Sequence, residues 1–232
     1  YGLLNNKHII KKIYITASGG PFINLPKKQF KNIKVRHALK HPSWKMGKKI
    51  TIDSATMMNK VFEIIEAKKI FNLNYKQITI LTHPYSYVHA LIHFENGLTK
   101  IIAHNTDMKI PIGNSLSYKN EFKYKYSSDL EIYKLNNLNF KKINLSKFSL
   151  VNLIKLLPNK FSFFETILVT ANDELVRLFL NKKIRFDEIY TNLIKILKKR
   201  EFNKYKKKIP SKIEDILKLS DYVRFKIISK SI

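Results

Sequence analysis

Asn59, Lys60 and Glu63 stand within five residues of one another in the stretch TIDSATMMNKVFEIIEA (51–67). Residues three and four apart project from neighbouring sides of a helix, so these three can share one face. An asparagine and a lysine near a helix start, with Ser54 or Asp53 as its cap, can hold a phosphate, because free backbone N–H groups and the helix dipole favour an anion there. A glutamate one turn further along can ligate a hard cation such as Mg²⁺. The bland reading of the same spacing is a surface helix with a Lys–Glu pair, worth a few tenths of a kcal/mol. By spacing alone the bland reading is favoured.

Three other clusters add chemistry. SGGPF (18–22) follows an apolar run, so Ser18 and nearby backbone N–H groups could meet an anion. HPSWKMG (41–47) puts His41, Trp44 and Met46 in a loop ending at Gly47, and such loops can close over ligands. HPYSYVH (83–89) supplies His83 and His89, with His93 expected on the same strand face as His89. Each cluster alone is weak, and no GxGxxG or GxxxxGK[ST] motif occurs in the sequence.

The elements that must position these residues follow from pattern. KKIYITA (11–17) and ITILT (78–82) read as strands. YVHALIHF and LTKIIAH read as a hairpin joined by ENG (95–97). LPKKQFKNI predicts a short helix, with proline in its first turn. ITI (50–52) predicts a short strand leading into a helix that starts at Asp53 or Ser54 and runs to about Phe71. DMKIPIGNSLSY predicts a helix entry. From about 118 to 147 the pattern weakens into a polar, lysine-rich connecting segment. Beyond 148 the period is helical, in LVNLIKLL, FFETILVTANDELVRLFL, DEIYTNLIKILKK, IEDILKL and DYVRFKIIS. The expected architecture is therefore an α/β (α+β) domain with a small mixed sheet over 1–117, a connecting segment over 118–147, and an all-helical domain over 148–232.

Composition bounds the rest. At 232 residues and 44% hydrophobic the chain can bury a sizeable core. Without cysteine it has no disulfides, thiolate metal sites or cysteine nucleophile. It lacks an apolar run long enough to span a bilayer, and its start lacks a secretory signal pattern, which leads to an expectation of a cytoplasmic protein without a membrane partner. The net charge of +27 raises the question of nucleic acid, but the lysines are spread along the chain, with one dense block at 198–208. Abundant Lys, Asn, Ile, Phe and Tyr beside few Gly, Pro and Ala point to AT-rich coding as the source of the charge, so no specific nucleic-acid partner is expected. Tyr1 stands where an initiator methionine would, so processing or a longer parent chain is expected.

Taken together and in order, SGGPF, HPSWKMGKKITIDSATMMNK, Glu63, HPYSYVH and DMKIPI resemble the 1-deoxy-D-xylulose 5-phosphate reductoisomerase family. The match runs from about 11 to 117 and continues more weakly through LNF (138–140), TANDE (170–174) and IRFDEI (184–189). The resemblance implies an enzyme that isomerises and reduces a phosphorylated ketose with NADPH and Mg²⁺, Mn²⁺ or Co²⁺, giving 2-C-methyl-D-erythritol 4-phosphate. It implies substrate contacts at Ser18, His41, Trp44, Ser54, Asn59 and Lys60, and a nicotinamide flanked by Met46, Gly47 and Met108. It implies Glu63 as one of three acidic metal ligands and His89 as an active-site histidine. A homodimer, in the bacterial cytoplasm or a plastid-like organelle, is implied as well.

The chain also departs from the family pattern. Tyr85, Val61 and Phe62 replace a usual glutamine, glycine and leucine, and VTAND (169–173) departs from an Asn-Ala-Ala-Asn-Glu pattern. The family's NADPH domain and its other two carboxylates precede the SGGPF strand, whereas the 17 residues before Ser18 contain no acid. The expectation is activity only together with that upstream part. A catalytically dead relic and a basic nucleic-acid-binding module are the alternatives.

Overall fold

In the computed structural model, residues 9–41, 46–117 and 132–229 are described. The chain divides into two compact units that interleave along the sequence: Tyr1–Gly19 with Lys76–Ile143, and Gly20–Tyr75 with Asn144–Ile232. This division does not follow the linear order 1–117, 118–147, 148–232. Residues 20–75 belong with the C-terminal helices because their apolar side chains share one core with them.

The first unit is built on a five-stranded mixed sheet of order β4-β3-β1-β2-β5. Its strands are β1 (Ile10–Ala17), β2 (Ile78–Thr82), β3 (Val88–Phe94), β4 (Thr99–Ala103) and the two-residue β5 (Lys141–Lys142). β1 and β2 are parallel, in register Ile13↔Ile78 and Ile15↔Ile80, and the other pairs are antiparallel. Alternation buries Ile13, Ile15, Ile78 and Ile80 along the strand pair, as a half-buried strand requires. The β3–β4 hairpin turns at Gly97 with φ +86°, and Asn96 Oδ1 accepts a bond from Leu98 N. Two short helices, α4 (Lys109–Leu116) and α5 (Ile132–Asn136), follow elsewhere in this unit, and Asp107 Oδ1, just ahead of the α4 N-cap Met108, accepts from Lys109 N at 2.9 Å. Within the expected connecting segment, residues 118–131 lie outside the described residues, and Lys141–Lys142 adds an edge strand to β2.

The second unit is helical. After the one-turn α1 (Val35–Ala38) come α2 (Lys48–Thr56), α3 (Met58–Phe71), α6 (Phe164–Leu180), α7 (Phe186–Leu197), the short α8 (Arg200–Asn203) and α9 (Ile213–Ile228). α6 is the central helix. Its Phe164, Ile167, Leu168, Ala171 and Leu175 are fully buried at helical spacing. Phe22, Phe30 and Phe179 pack edge-to-face on Phe186, with centroids 5.2 to 5.7 Å apart, and Phe22 and Phe30 are tilted against each other at 6.0 Å.

Three expectations are corrected here. ITI (50–52) is not a strand but the middle of α2, and Asp53 and Ser54 lie inside that helix rather than capping it. The β-branched run favours a strand locally, but α2 is buried on all sides over Thr51–Thr56, and Thr51 Oγ1 satisfies the Gly47 carbonyl at 2.8 Å. LPKKQFKNI and LVNLIKLL form 3₁₀ helices, Lys27–Asn32 and Ser149–Leu156, with Pro26 just outside the first. IEDILKL and DYVRFKIIS are one continuous helix, because Ser220 between them is buried and its hydroxyl accepts from Thr170 Oγ1 at 3.1 Å.

Candidate functional site

In the helical unit the α2–α3 junction carries four of the expected residues. α2 ends at Met57, which takes the left-handed conformation with φ +66° and ψ 14°. Such a conformation costs a side-chain-bearing residue roughly 1–2 kcal/mol. Here it is held by burial of the Met57 side chain and by the Met57 N bond to the Ser54 carbonyl at 3.2 Å. α3 then restarts in a new direction, with Lys60 N bonded to the Met57 carbonyl. Ser54 therefore sits in the last turn of one helix, and Asn59 and Lys60 in the first turn of the next. No feature of TMMN announces this break, since methionine is not a residue that favours positive φ.

On α3 the buried side is Met58, Val61, Ile64 and Ile65, and the half-buried side carries Asn59, Lys60 and Glu63. Val61 fills core space where the family pattern has glycine. Lys60 Nζ grips both Glu63 oxygens, at 2.8 and 2.9 Å. The bland reading of this spacing is thus a real contact. Asn59 shows the opposite behaviour: its Oδ1 is buried without a hydrogen-bond partner among the described residues. A buried amide oxygen left unpaired costs on the order of 1–3 kcal/mol, so the position is poised for a polar ligand.

His41 belongs to the same unit. Burial, and then the nearby Lys60 ammonium, lower its pKa below the ordinary value, so the imidazole is neutral at pH 7. Trp44 lies outside the described residues. Met46 and Gly47 lead into α2 with Gly47 as its N-cap, and a side chain built at Gly47 would meet nothing within 4 Å among the described residues.

Gly20 has a structural reason of its own. Its φ is +62°, and a Cβ there would lie 2.9 Å from the Ser54 carbonyl oxygen and 3.3 Å from Ala55 Cα. The glycine loop packs directly on the backbone of α2 at Ser54. A polar network missed by sequence reasoning fixes α2 on α6. Asp53, buried, accepts from Asn172 Nδ2 at 2.9 Å and pairs with Lys49 at 2.7 Å, and Lys49 also reaches Asp173 at 2.8 Å. Burial holds the Asp53 carboxyl above its usual pKa despite Lys49. Burial alone would lower the Lys49 pKa, but the two carboxylates outweigh it and raise it. Asp53 and Asn172 are 119 positions apart, which hides the pairing from any local pattern.

In the sheet unit, Ser18 follows the end of β1, beside Gly19 with φ +96°. His89, the second residue of β3, stacks on His104 with ring centroids 3.7 Å apart, its Nε2 3.1 Å from the His104 carbonyl. His93 lies further along β3, with Nδ1 3.0 Å from Thr99 Oγ1. His83 is buried, with Nδ1 3.2 Å from the Asn139 carbonyl and Nε2 without a hydrogen-bond partner among the described residues. Met108 is exposed at the start of α4. The expected residues thus form one group on the helical unit (His41, Met46, Gly47, Ser54, Asn59, Lys60, Glu63) and one on the sheet unit (Ser18, His89, Met108). Among the described residues, no three His, Asp or Glu gather as a metal centre.

Family models for the 1-deoxy-D-xylulose 5-phosphate reductoisomerase C-terminal domain match residues 2–71, and for the DXP reductoisomerase C-terminal domain residues 104–226. The chain belongs to the 1-deoxy-D-xylulose 5-phosphate reductoisomerase family. The reductoisomerase of Pelagibacter ubique is 58% identical over 228 residues, 98% of this chain and 58% of that protein. The reductoisomerase of Sulfurihydrogenibium sp. is 42% identical over 86% of the chain and 53% of its own length. A crystal structure of DOX-P reductoisomerase in complex with NADPH, fosmidomycin and magnesium superposes with a TM-score of 0.86 at 35% identity, over 96% of this chain and 55% of that one. The reductoisomerase of Zymomonas mobilis in complex with NADPH gives 0.83 at 29% identity, over 100% and 58%. The chain thus spans a little over half the length of these reductoisomerases.

Proposed function

We propose that this chain forms the substrate-binding and C-terminal part of an enzyme that converts 1-deoxy-D-xylulose 5-phosphate to 2-C-methyl-D-erythritol 4-phosphate with NADPH. The observation that carries this reading is the half-buried first turn of α3, which holds both Asn59, with a buried oxygen unpaired among the described residues, and Lys60. Ser18, Ser54, Asn59 and Lys60 hold the substrate's phosphate and neighbouring hydroxyls. His41 is neutral and can accept as well as donate a hydrogen bond at a substrate oxygen. Trp44 covers the bound sugar. Met46, Gly47 and Met108 flank the nicotinamide, and His89 contributes from the sheet unit. Phosphate binding away from the reacting carbons provides energy that can be used at the reacting centre.

Lys60 links two roles. An anion that draws its ammonium away releases both Glu63 oxygens, so phosphate binding frees the carboxylate. Glu63 is then one ligand for a divalent cation. One carboxylate does not satisfy the near-octahedral oxygen set that Mg²⁺ requires, so the described residues do not by themselves fit that ion. The described sheet has one parallel pair and is not the doubly wound sheet that dinucleotides use, so NADPH also needs polypeptide beyond these residues. The complete enzyme works as a cytoplasmic homodimer.

The test joins this chain to the NADPH-binding part of the Pelagibacter ubique reductoisomerase and follows NADPH oxidation with substrate and Mg²⁺ or Mn²⁺. Turnover that Glu63→Gln abolishes supports the reading. A folded, dimeric fusion with no turnover would replace it with that of a non-catalytic relic.

A further inference from the structure

Around His89 the sheet unit departs from regular β-structure. β3 pairs with β4 through Val88↔Ala103 and Ala90↔Ile102, so three residues of β3 face two of β4 and His89 is the extra one. A bulge of this kind leaves its residue out of the ladder and re-aims the side chain. The His89 ring lies on the His104 ring, with 3.7 Å between centroids and 12° between the planes. Both residues are half-buried, so the stack adds little to the core, and its main effect is on where the His89 ring lies.

Hydrogen bonds fix which nitrogen of each ring carries the proton. A carbonyl oxygen only accepts, so a ring nitrogen bonded to one must be N–H. His89 Nε2 donates to the His104 carbonyl at 3.1 Å, and His104 Nδ1 donates to the Asn105 carbonyl at 2.7 Å. The neutral rings are therefore opposite tautomers, and Nδ1 is the basic nitrogen of His89. His104 is itself fastened on two sides. Its backbone N–H donates to the Tyr87 carbonyl at 3.0 Å, and the Asn105 side chain accepts from Lys134 Nζ on α5 at 2.7 Å.

We propose that His104 is a positioning residue for His89: its ring holds the bulged imidazole against the His104 carbonyl as the Nε2–H tautomer, which leaves Nδ1 as the nitrogen that serves the substrate. The role toward substrate rests on the enzyme reading above, whereas the tautomer does not. Orientation of this kind matters because a small misplacement of a reacting group is costly in rate.

Two measurements keep the two parts separate. Imidazole ¹H–¹⁵N spectra of the ¹⁵N-histidine-labelled chain at about pH 8, where an ordinary imidazole is neutral, report the tautomer. His89, identified by its loss in His89→Gln, should be Nε2–H and His104 should be Nδ1–H. In His104→Ala the His89 ring should become a mixture of tautomers, and His104→Phe, which keeps a flat ring, should restore Nε2–H. Unchanged His83 and His93 signals in both variants show that the sheet is intact. A His89 ring that is Nδ1–H in the parent, or still wholly Nε2–H in His104→Ala, would overturn the proposal. In the active fusion, His104→Ala should lower kcat by about tenfold at unchanged KM, and His104→Phe should recover it. Full kcat in His104→Ala beside a loss in His89→Gln would overturn the positioning role. Full kcat in His89→Gln would instead remove His89 from the reaction and with it the role toward substrate.

Discussion

At the residue scale Lys60 and His41 are the side chains on which the proposed function rests. Lys60 is held by Glu63 in the free chain, and a phosphate has to compete with that contact. In the active fusion, Lys60→Ala should raise KM and lower kcat/KM by on the order of a hundredfold, the loss expected for a charge-assisted contact of roughly 3 kcal/mol. Unchanged steady-state kinetics would remove Lys60 from the site. His41 makes a pH prediction. Its folded pKa lies below its ordinary 6.5, so as pH falls through that value the unfolded chain takes up a proton that the folded chain resists. This part of the stability is present above about pH 6.5 and is lost as pH falls further. Urea unfolding of His41→Gln should therefore show a shallower loss of stability on acidification than the parent, and parallel curves would refute the assignment.

At the element scale, α2 is positioned by two contacts distant in sequence, the Gly20 loop on its backbone and the Asp53–Asn172 bond to α6. Gly20→Ala combines a left-handed φ with a Cβ 2.9 Å from a backbone oxygen that cannot swing away. It should cost at least about 1–2 kcal/mol from the backbone alone, seen as a lower urea midpoint with an unchanged slope. Asn172→Leu removes the amide donor from a buried carboxylate and should cost about 2 kcal/mol. A midpoint within error of the parent would show that Lys49 alone suffices for Asp53. Both variants disturb Ser54 through α2 without touching Lys60 or Glu63.

At the scale of the whole molecule, the charge of +27 and the share of the family's length decide what the chain does alone. The one dense basic block, 198–208, is anchored by Phe202, which is fully buried, and by Tyr205, whose ring packs near Phe202 and Phe163. Its aromatic rings are engaged in the core and do not offer a platform for stacking bases. Duplex DNA should bind nonspecifically, with Kd of about 10⁻⁴ to 10⁻⁶ M at physiological salt, and a sequence-selective nanomolar complex in a gel-shift assay would contradict this. With one carboxylate for a metal and no doubly wound sheet among the described residues, the 232-residue chain alone should not oxidise NADPH in the presence of substrate and Mg²⁺. A steady rate that Glu63→Gln abolishes would show that these residues supply more than we assign to them.

The sequence by itself determined the family, the strands β1 to β4, the ENG hairpin and the helical character beyond residue 148. Those features depend on residues near one another: alternation along a strand, an Asn-Gly turn, a 3.6-residue period, motifs of fixed spacing. It also placed Asn59, Lys60 and Glu63 on one side of a helix, since that depends only on helical geometry. Tertiary structure decided what local propensity could not. ITI became helix because burial on every side outweighs the preference of β-branched residues for strands. Ser54 moved from cap to helix interior because Met57, held in the left-handed region by its buried side chain, breaks the helix three residues later. Residues 20–75 joined the C-terminal helices, and Asp53 found Asn172 on α6 119 positions away, through contacts between positions far apart in the chain, which a local pattern does not encode.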